Sequence, residues 1–322
     1  MAHGSRDAAG AHTLSPSYVR VVLFIPLWNP IMSQYKRLLL IINPALRDSP
    51  TISHAAALAK ASGASLHIAA LTTPLDILSL LAEDVRYKAR ASYLQDHRDW
   101  LDNQTNNLRA LGLDVTSQVT WATDLKQDIL DYVTETQPDI LIKQVQHESA
   151  LKRAFFTPLD WQLLRECPIP VYLVGGGGNA LPRIVLAAVD VADAQQVNNA
   201  LNQRIIEQAT SLALQCDAEL HLLYACDMSA IYMADMALSN ISKELASTEK
   251  NNLLELARSY GVPSDRHHFV LGNPVAVLSQ FAKEHSVDVI VMGRVQYHGI
   301  EKLLGSTTEH ILYQVPCGVL AV

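Results

Sequence analysis

The chain has 322 residues, of which 49% are hydrophobic and 18% are charged, so it has the length for about two domains and the composition of an ordinary globular protein. Its formal net charge is −7 and no basic run exceeds two residues, which argues against nucleic acid as a partner. The four cysteines form no Cys-x-x-Cys pair, which argues against a structural zinc site and predicts buried free thiols in a reducing cytosol.

The first 31 residues differ from the rest of the chain. They begin small and polar and continue into a short apolar stretch that Pro26 and Pro30 interrupt. That stretch is too short to span a bilayer and lacks the basic start and cleavage site of a signal peptide, although a membrane anchor or signal remains the alternative. Because Met32 resembles a natural start just before a strand, we interpret residues 1–31 as a non-native or disordered extension.

After this segment, short aliphatic runs alternate with longer helical patterns, which is typical of a parallel sheet with crossover helices. The first half predicts strands at 38–42, 66–71, 115–121, 140–143 and 171–174. Its helices are predicted at 53–62, 77–111 with an interruption near Asp84, 125–136 and 159–165. The second half predicts strands at 184–189, 219–225, 267–270, 288–292 and 318–322. Its helices are predicted at 194–215, 230–259, 274–285 and 307–313, with a loop before the last of them.

The two halves repeat one another. Four stretches of the first half return in the same order roughly 150 residues later, so that whole domains are repeated and not short solenoid units. The stretches are 36–43, 65–70, 138–142 and 168–171, which return as 183–190, 219–224, 287–291 and 316–319. A polar residue that only one copy carries therefore points to chemistry that only that copy performs.

A run of four glycines, 175–178, separates the repeats. Glycine fixes no backbone conformation, so we interpret 175–182 as a flexible linker between a domain at 32–174 and a domain at 183–322. A phosphate-binding glycine loop would need a helix directly behind it, and Pro182 followed by a strand stands there instead.

We therefore predict an α/β fold of two tandem doubly wound domains, each with a five-stranded parallel sheet. Sheets of this kind bind ligands beyond the carboxyl ends of their strands. In the second half, Asp190 and Gly293 follow strands at that edge. Gly305 precedes the last helix, with Ser306 or Thr307 as its predicted N-cap. This helix start suits a phosphate, Gly293 lets a ligand approach the backbone, and Asp190 suits a ribose. Alternatively, these residues are only the turns and caps that the fold requires.

Several stretches resemble a known family. The stretches 293–307, 272–275 and 316–322 follow the Gly-x2-Gly-x9-Gly-Ser/Thr pattern, the "GDPA"-like turn and the "PCPVLVV"-like strand of nucleotide-binding universal stress proteins. The stretch 157–168, with its Thr-Pro-x-Asp-Trp order, is similar to the tandem-domain E subgroup of that family. The resemblance extends from about Met32 to Val322 and implies two Rossmann-like domains.

The resemblance also implies a ligand for the second domain, namely ATP or another adenine nucleotide with magnesium. By position, Asp190 would meet the adenosine moiety and the backbone of Ala225 would face the adenine. The residues that would hold the phosphates are Gly293, Gly305, Ser306 and Thr307.

The sequence departs from the family pattern in both halves. The second glycine of the pattern falls at Gln296, and eight residues separate it from Gly305 where the family has nine. In the first half, Asn43 replaces the aspartate, Gln144 replaces the first glycine, and Pro158 removes a backbone donor from the phosphate position. The first half is therefore predicted not to bind nucleotide in the family manner.

The leading hypothesis is a non-catalytic cytoplasmic stress-response protein, a binding or interaction module that holds an adenine nucleotide weakly in its second domain. One alternative is a slow ATP hydrolase, for which Asp190 and Glu309 are the available carboxylates. Another is a small-molecule or lipid sensor that uses apolar space between the long helices. The resemblance further implies that the two domains pair within the chain through their last strands and that whole chains form homodimers. Neither a membrane nor nucleic acid is expected as a partner, and protein partners stay unidentified.

Other side chains receive weaker interpretations. His67 and His221 occupy equivalent strand positions and predict packing at the edge of the core. His267, His268 and His298 leave a metal cluster open, although no cysteine or carboxylate spacing accompanies them. Aromatic residues on the two long helices predict core or interface packing, with a ligand-lined groove as the alternative. These residues are Tyr87, Tyr93, Trp100 and Tyr232.

Overall fold

The computed structural model describes most of the chain in ten ranges. These ranges are 35–45, 47, 49–73, 80, 82–145, 158–192, 196–229, 239–298, 301–304 and 306–322. They belong to one compact unit, Ser33–Val322. The predicted N-terminal extension at 1–31 lies outside the described residues. Within the described ranges, no helix has both the length and the apolar character needed to cross a membrane.

The first half follows the predicted alternation of strands and helices. Its strands are β1 (Arg37–Ile42), β2 (Ser65–Thr72), β3 (Val115–Trp121), β4 (Ile140–Gln144) and β5 (Val171–Val174). Its helices are α1 (Pro50–Ser62), α2 (Glu83–Ala110), α3 (Leu125–Thr136) and α4 (Leu159–Glu166). Helix α2 begins at Glu83, next to Asp84, where the sequence allows an interruption of the predicted helix, and most of 77–81 lies outside the described residues.

The second half repeats this alternation with one addition. Its strands are β6 (Ile184–Ala188), β7 (Glu219–Cys226), β8 (His267–Leu271), β9 (Val289–Met292), β10 (Val295–His298), β11 (Glu301–Leu304) and β12 (Gly318–Ala321). Its described helices are α5 (Gln196–Cys216), α6 (Ser239–Ser259), α7 (Pro274–Glu284) and α8 (Ser306–Ile311). The addition is an antiparallel hairpin of β10 and β11, which stands where the sequence predicted a loop.

Local side chains determine where the helices begin and end. Ser49 caps α1 by accepting a first-turn N–H, Pro50 occupies the first helical position, and Gly63 ends the helix with a φ of 71°. Asp124 caps α3 and Asn273 caps α7 through the same type of side-chain acceptor. Helices α3 and α7 begin where the sequence predicts, whereas α1 begins three residues before its predicted start at 53.

Ten strands form one sheet in the order β3-β2-β1-β4-β5-β12-β9-β6-β7-β8. The five strands that each half contributes to this sheet are parallel to one another, which confirms the predicted fold class. The last strands of the two halves, β5 and β12, pair antiparallel. The two halves thus share a continuous sheet.

Two apolar layers cover the faces of this sheet. Along β1 the side chains alternate, so that Leu38, Leu40 and Ile42 join one layer while Leu39 and Ile41 join the other. Each layer contains buried residues from both halves. The halves therefore share their core as well as their sheet, and all four cysteines lie buried as free thiols, as predicted.

The aromatic residues predicted to pack from the long helices lie in different surroundings. Trp100 is partly buried against the core, as predicted. Tyr93 stacks on Trp121 with ring centroids 5.5 Å apart. The prediction of core packing is wrong for Tyr87, which is 76% exposed because the first turns of α2 lie largely in solvent, and interface packing stays a prediction for it. Tyr232 lies outside the described residues.

A tyrosine and a glycine fit together where the two halves meet. The pairing of β5 with β12 brings the buried side chain of Tyr172 against Gly318. A Cβ atom on Gly318 would lie 2.6 Å from Cε2 of Tyr172 and 2.9 Å from its hydroxyl oxygen. The repeat-equivalent residue of the first half is Pro170. Glycine at 318 therefore makes room for a large buried side chain from the other half.

The glycine run between the halves is closely packed. A Cβ atom on Gly175 would lie 2.6 Å from the carbonyl oxygen of Cys317, and one on Gly177 would overlap the carbonyl oxygen of Pro316. Gly176, in contrast, has open space beside it. The sequence predicts a flexible linker at 175–182. In the structure, Gly175 and Gly177 lack a side chain because neighbouring backbone atoms leave no room for one.

A buried carboxylate anchors the segment after the glycines. Asp288 is 4% exposed, and its Oδ1 accepts hydrogen bonds from the backbone and side-chain amides of Asn179 at 2.8 and 2.9 Å. Its Oδ2 accepts the backbone N–H groups of Arg183 and Ile184 at 2.7 and 3.1 Å. The repeat-equivalent Asp139 accepts two N–H groups at the start of β1. A carboxylate thus fixes the first strand in both halves, with twice as many bonds in the second.

Histidines pack at the edges of the core, as the sequence predicts. His221 Nδ1 lies 3.0 Å from His268 Nε2, and the two rings stack with centroids 5.3 Å apart. His268 also contacts Phe281, with ring centroids 4.6 Å apart. In the first half, His67 Nδ1 lies 2.8 Å from Thr116 Oγ1. The packing prediction is confirmed for His67 and His221.

We expect Asp288→Ala to lower the free energy of unfolding by about 3 kcal/mol, because it leaves four hydrogen-bond donors without their acceptor. Asp139→Ala is the matched control and should cost roughly half as much, since only two donors lose their partner. Urea denaturation of both variants measures the two losses. Equal losses would contradict the view that the additional bonds of Asp288 anchor the linker.

We expect Gly318→Ala to destabilise the protein by about 1–3 kcal/mol, because the new methyl group overlaps the ring of Tyr172. Gly176→Ala is the control, and it should be neutral because a Cβ there meets open space. Thermal melts of both variants test this difference. In a Tyr172→Leu background the cost of Gly318→Ala should shrink, and an unchanged cost would exclude Tyr172 as the cause.

We expect acidification to weaken the edge formed by β7 and β8. Burial, followed by the neighbouring His221 and His285, lowers the pKa of His268 to about 4. The unfolded chain therefore binds a proton that the folded chain excludes, so this stability is present above about pH 6.5 and is lost as the pH falls towards 4. The other charged groups around the pair are Glu219, Arg266, His267 and Asp265.

Thermal midpoints at pH 7 and pH 5 measure this effect. The drop between the two values should be smaller in His268→Phe than in the wild type, because phenylalanine keeps the ring packing and takes up no proton. An equal drop in both proteins would assign the acid sensitivity to other groups.

Candidate functional site

Three of the residues singled out by sequence lie at neighbouring strand ends of the second half. Ala188 at the end of β6 pairs with Met292 at the end of β9, so Asp190 and Gly293 lie just beyond adjacent strand ends. Ala225 lies near the end of β7, on the other side of β6. The strand order reverses at β6, and open α/β sheets bind ligands at such a switch point.

Asp190 presents its carboxylate to solvent from a fixed turn. Its Oδ1 accepts the N–H of Ala192 at 3.0 Å, and the residue as a whole is exposed. Asn202 of α5 accepts the N–H of Asp190 at 3.0 Å and donates to its carbonyl oxygen at 2.5 Å. Asn252 of α6 donates to the carbonyl oxygen of Val191 at 3.1 Å. Helices α5 and α6 therefore both hold the turn in place.

Gly293 contacts Thr308 and Leu201. The hydroxyl of Thr308, which is 1% exposed, donates to the carbonyl oxygen of Gly293 at 2.8 Å. The side chain of Leu201 lies so close that a Cβ on Gly293 would be 2.7 Å from its Cδ2. The missing side chain of Gly293 therefore leaves a space that Leu201 fills in this structure.

The start of helix α8 lies one residue earlier than predicted. Ser306 and Thr307 are its first two residues, so the predicted N-cap at either of them is wrong. Gly305, the residue before this helix, lies outside the described residues. The backbone N–H groups of Ser306 and Thr307 belong to the first turn, where helices leave such donors without an intrahelical partner.

The segment between Gly293 and Gly305 folds as the β10–β11 hairpin. The sequence predicted an open loop there, and the hairpin corrects that prediction because the two strands pair from Val295 to Leu304. Strand β11 also contacts helix α4 of the first half. The segment that would surround a phosphate thus has backbone pairing of its own and a contact with the other half.

The equivalent position in the first half is filled. Asn43 forms the same turn as Asp190, with its Oδ1 accepting the N–H of Ala45 at 3.0 Å. Gln144, in the place of Gly293, carries a side chain that accepts the hydroxyl of Ser49 at 3.0 Å.

A buried ion pair lies beside Gln144. Lys143 Nζ lies 2.8 Å from Asp160 Oδ1 and donates to the carbonyl oxygen of Gln144 at 3.0 Å, and both charged side chains are almost fully buried. The corresponding residues of the second half are Met292 and Thr308. The Thr-Pro-x-Asp-Trp stretch of the sequence therefore supplies an acid that pairs inside the protein, while Thr157 lies outside the described residues.

Sequence reasoning missed a buried polar group beneath the second-half site. Glu249 of α6 is 5% exposed and accepts the hydroxyl of Tyr224 at 2.9 Å. Burial raises the pKa of the Cys226 thiol to about 12, and a hydrogen bond with Glu249 adds to the rise. The charged run around Glu249 resembles a solvated helix face, so the sequence carries no signal for this contact. Its effect is to hold α6 against the end of β7.

Among the described residues, no group of three or more His, Cys, Asp or Glu residues could hold a metal ion. The side chains of His298 and Glu309 lie outside the described part of the structure.

A cavity of about 580 Å³ surrounds the edge strand β8 and lies apart from the strand-end site. Residues of α6 and α7 line it together with β8, including Leu253, Phe269 and Phe281. Helix α2 contributes none of its lining residues, so this cavity is not the predicted apolar space between the two long helices.

Comparison with known proteins agrees with the repeat and the topology. The sequence profile of the universal stress protein family matches residues 34–175 and 182–322, which together make up most of the chain. A universal stress protein E homolog of Haemophilus influenzae is 27% identical over 301 residues, which cover 90% of this chain and 97% of the relative. Universal stress protein E of Escherichia coli K12 is 25% identical over 304 residues, covering 90% and 95% of the two chains.

A solved structure supports the same fold. A functionally unknown protein from Pseudomonas aeruginosa PAO1 matches with a TM-score of 0.70 and 24% identity, covering 91% of this chain and 94% of that chain. With two matched domains and similarity to E-type members along most of its length, the chain belongs to the universal stress protein family.

Proposed function

We propose that this protein is a non-catalytic cytoplasmic binding module of the stress response whose second half holds one adenine nucleotide weakly. One observation carries the proposal, namely the difference between equivalent strand ends. The second half presents the exposed carboxylate of Asp190 beside Gly293, which has no side chain. The first half presents Asn43 and Gln144 beside a buried ion pair.

The turn at Asp190 supports a role in binding. The first half makes the same turn with an uncharged side chain, since Asn43 Oδ1 accepts a backbone N–H at the same distance of 3.0 Å. The fold therefore does not require a negative charge at this position. A solvent-exposed carboxylate that the fold does not need is available to accept hydrogen bonds from ribose hydroxyl groups.

The surroundings of Gly293 support weak binding. Leu201 occupies the space next to its backbone, and the β10–β11 hairpin takes the place of an open phosphate loop. A ligand must displace the Leu201 side chain and fit beside the β10–β11 hairpin. Each requirement reduces affinity relative to a site that is already open.

A role without catalysis is supported by the solvation of Asp190. Exposure favours an ordinary solvated carboxylate, whereas catalytic bases are usually desolvated or charge-coupled. Since β5 and β12 already pair inside the chain, a homodimer of whole chains would need a surface other than these last strands.

We expect the full chain to bind ATP at one site, and we expect Asp190→Asn to weaken that binding about tenfold, because the carboxylate accepts hydrogen bonds more strongly than a neutral amide. The fold should be unaffected, since Asn43 shows that asparagine makes the same turn. Isothermal titration with ATP, with and without magnesium, measures both the number of sites and the change in affinity.

Asn43→Asp is the matched control at the equivalent position. It should create no second site, because Gln144 and the Lys143–Asp160 pair keep the first half closed. Binding that is unchanged in Asp190→Asn, or no heat at near-millimolar ATP, would refute the proposed site.

A further inference from the structure

The helix that follows the first strand is longer in the second half than in the first. Helix α5 has 21 residues and α1 has 13, and both end beside a residue with left-handed backbone, Asp217 and Gly63. Aligned at these ends, α5 is longer at its N-terminus by about two turns. The additional turns carry Leu201 and Asn202 and bring their side chains to the strand ends. Helix α1 has no equivalent of these two residues.

These two side chains contact the two residues of the candidate site. Asn202 makes reciprocal hydrogen bonds with the backbone of Asp190. Leu201 packs against the core and covers Gly293, with both Cδ atoms and Cγ within 3.0 Å of where a Cβ of that glycine would lie. The helix extension is therefore built onto the site itself.

Gly293 cannot yield to make room for a ligand. Thr308 fixes its carbonyl oxygen at 2.8 Å, and it directly follows β9, which is paired on both sides. Leu201, in contrast, is only partly buried and ends in a flexible side chain. If an anionic group approaches the backbone of Gly293, the leucine must move.

We infer that Leu201 is a closing residue that keeps the nucleotide site of the second half shut until ligand displaces it. The inference rests on the proposed function and names the cause of the weak binding. Displacing Leu201 removes its apolar contacts, and the apparent affinity falls by the fraction of molecules in which the site is open. Asn202 holds the Asp190 turn in place while Leu201 moves, so only the Leu201 side chain has to change its position.

The test is the affinity of the full chain for ATP with magnesium, measured by isothermal titration. Leu201→Ala should bind about tenfold more tightly than the wild type, since opening the site no longer exposes a partly buried leucine. Leu214→Ala is the matched control on the same helix, because Leu214 is 62% exposed and should leave the affinity unchanged. In a Leu201→Ala background, Asp190→Asn should remove the gain.

The outcomes separate this inference from the proposed function. If the wild type binds ATP through Asp190 but Leu201→Ala binds no more tightly, the closing role is overturned and the proposed function stands. If neither protein binds at near-millimolar ATP, the proposed function fails and the inference fails with it. A gain that survives Asp190→Asn overturns the inference, because ATP then binds elsewhere. If Leu201→Ala does not fold, as judged by its thermal melt, Leu201→Val decides with a smaller expected gain.

Discussion

The antiparallel pairing of β5 with β12 is the constraint on which the rest of the molecule depends. Strands within each half are parallel, so an antiparallel junction makes the strands of the two halves run in opposite directions. Their carboxyl ends therefore lie at opposite edges of one sheet. Ligand sites of this fold form at carboxyl ends, so the two halves cannot build one joint site at these ends. A ligand bound at the carboxyl ends of one half therefore cannot also reach the carboxyl ends of the other.

That separation explains how the two halves differ without loss of the fold. Because the two halves share the sheet and both apolar layers, the first half is needed for the core even if its strand ends bind no ligand. Its ligand position is free to hold the Lys143–Asp160 pair, with Gln144 in the place of Gly293. A buried ion pair is a costly replacement for Met292 and Thr308 unless its hydrogen bonds are satisfied, and Lys143 meets part of that requirement with the carbonyl of Gln144.

The sequence predicted the elements of the fold because its signals are local. Apolar runs such as those of β1 and β9 indicate strands that are buried on both faces, and caps such as Ser49 and Asn273 mark where helices begin. The β10–β11 hairpin escaped prediction because each of its strands has only four residues, and Glu301–Leu304 shows no alternation of apolar and polar residues. The close packing of Gly175 against Cys317 escaped because it depends on a contact between residues far apart in the chain.

The candidate site shows the same division between local and distant causes. Asp190 and Gly293 could be identified because each directly follows a strand. Leu201 could not, since a leucine in an amphipathic helix reads as an ordinary core residue, and only the longer α5 brings it over a glycine. A glycine next to an empty space would leave backbone and apolar walls poorly packed, and Leu201 fills that space when no ligand is present. Gly293 thus leaves room for a ligand, while Leu201 stabilises the unliganded chain. The ligand and the Leu201 side chain cannot occupy that space at the same time.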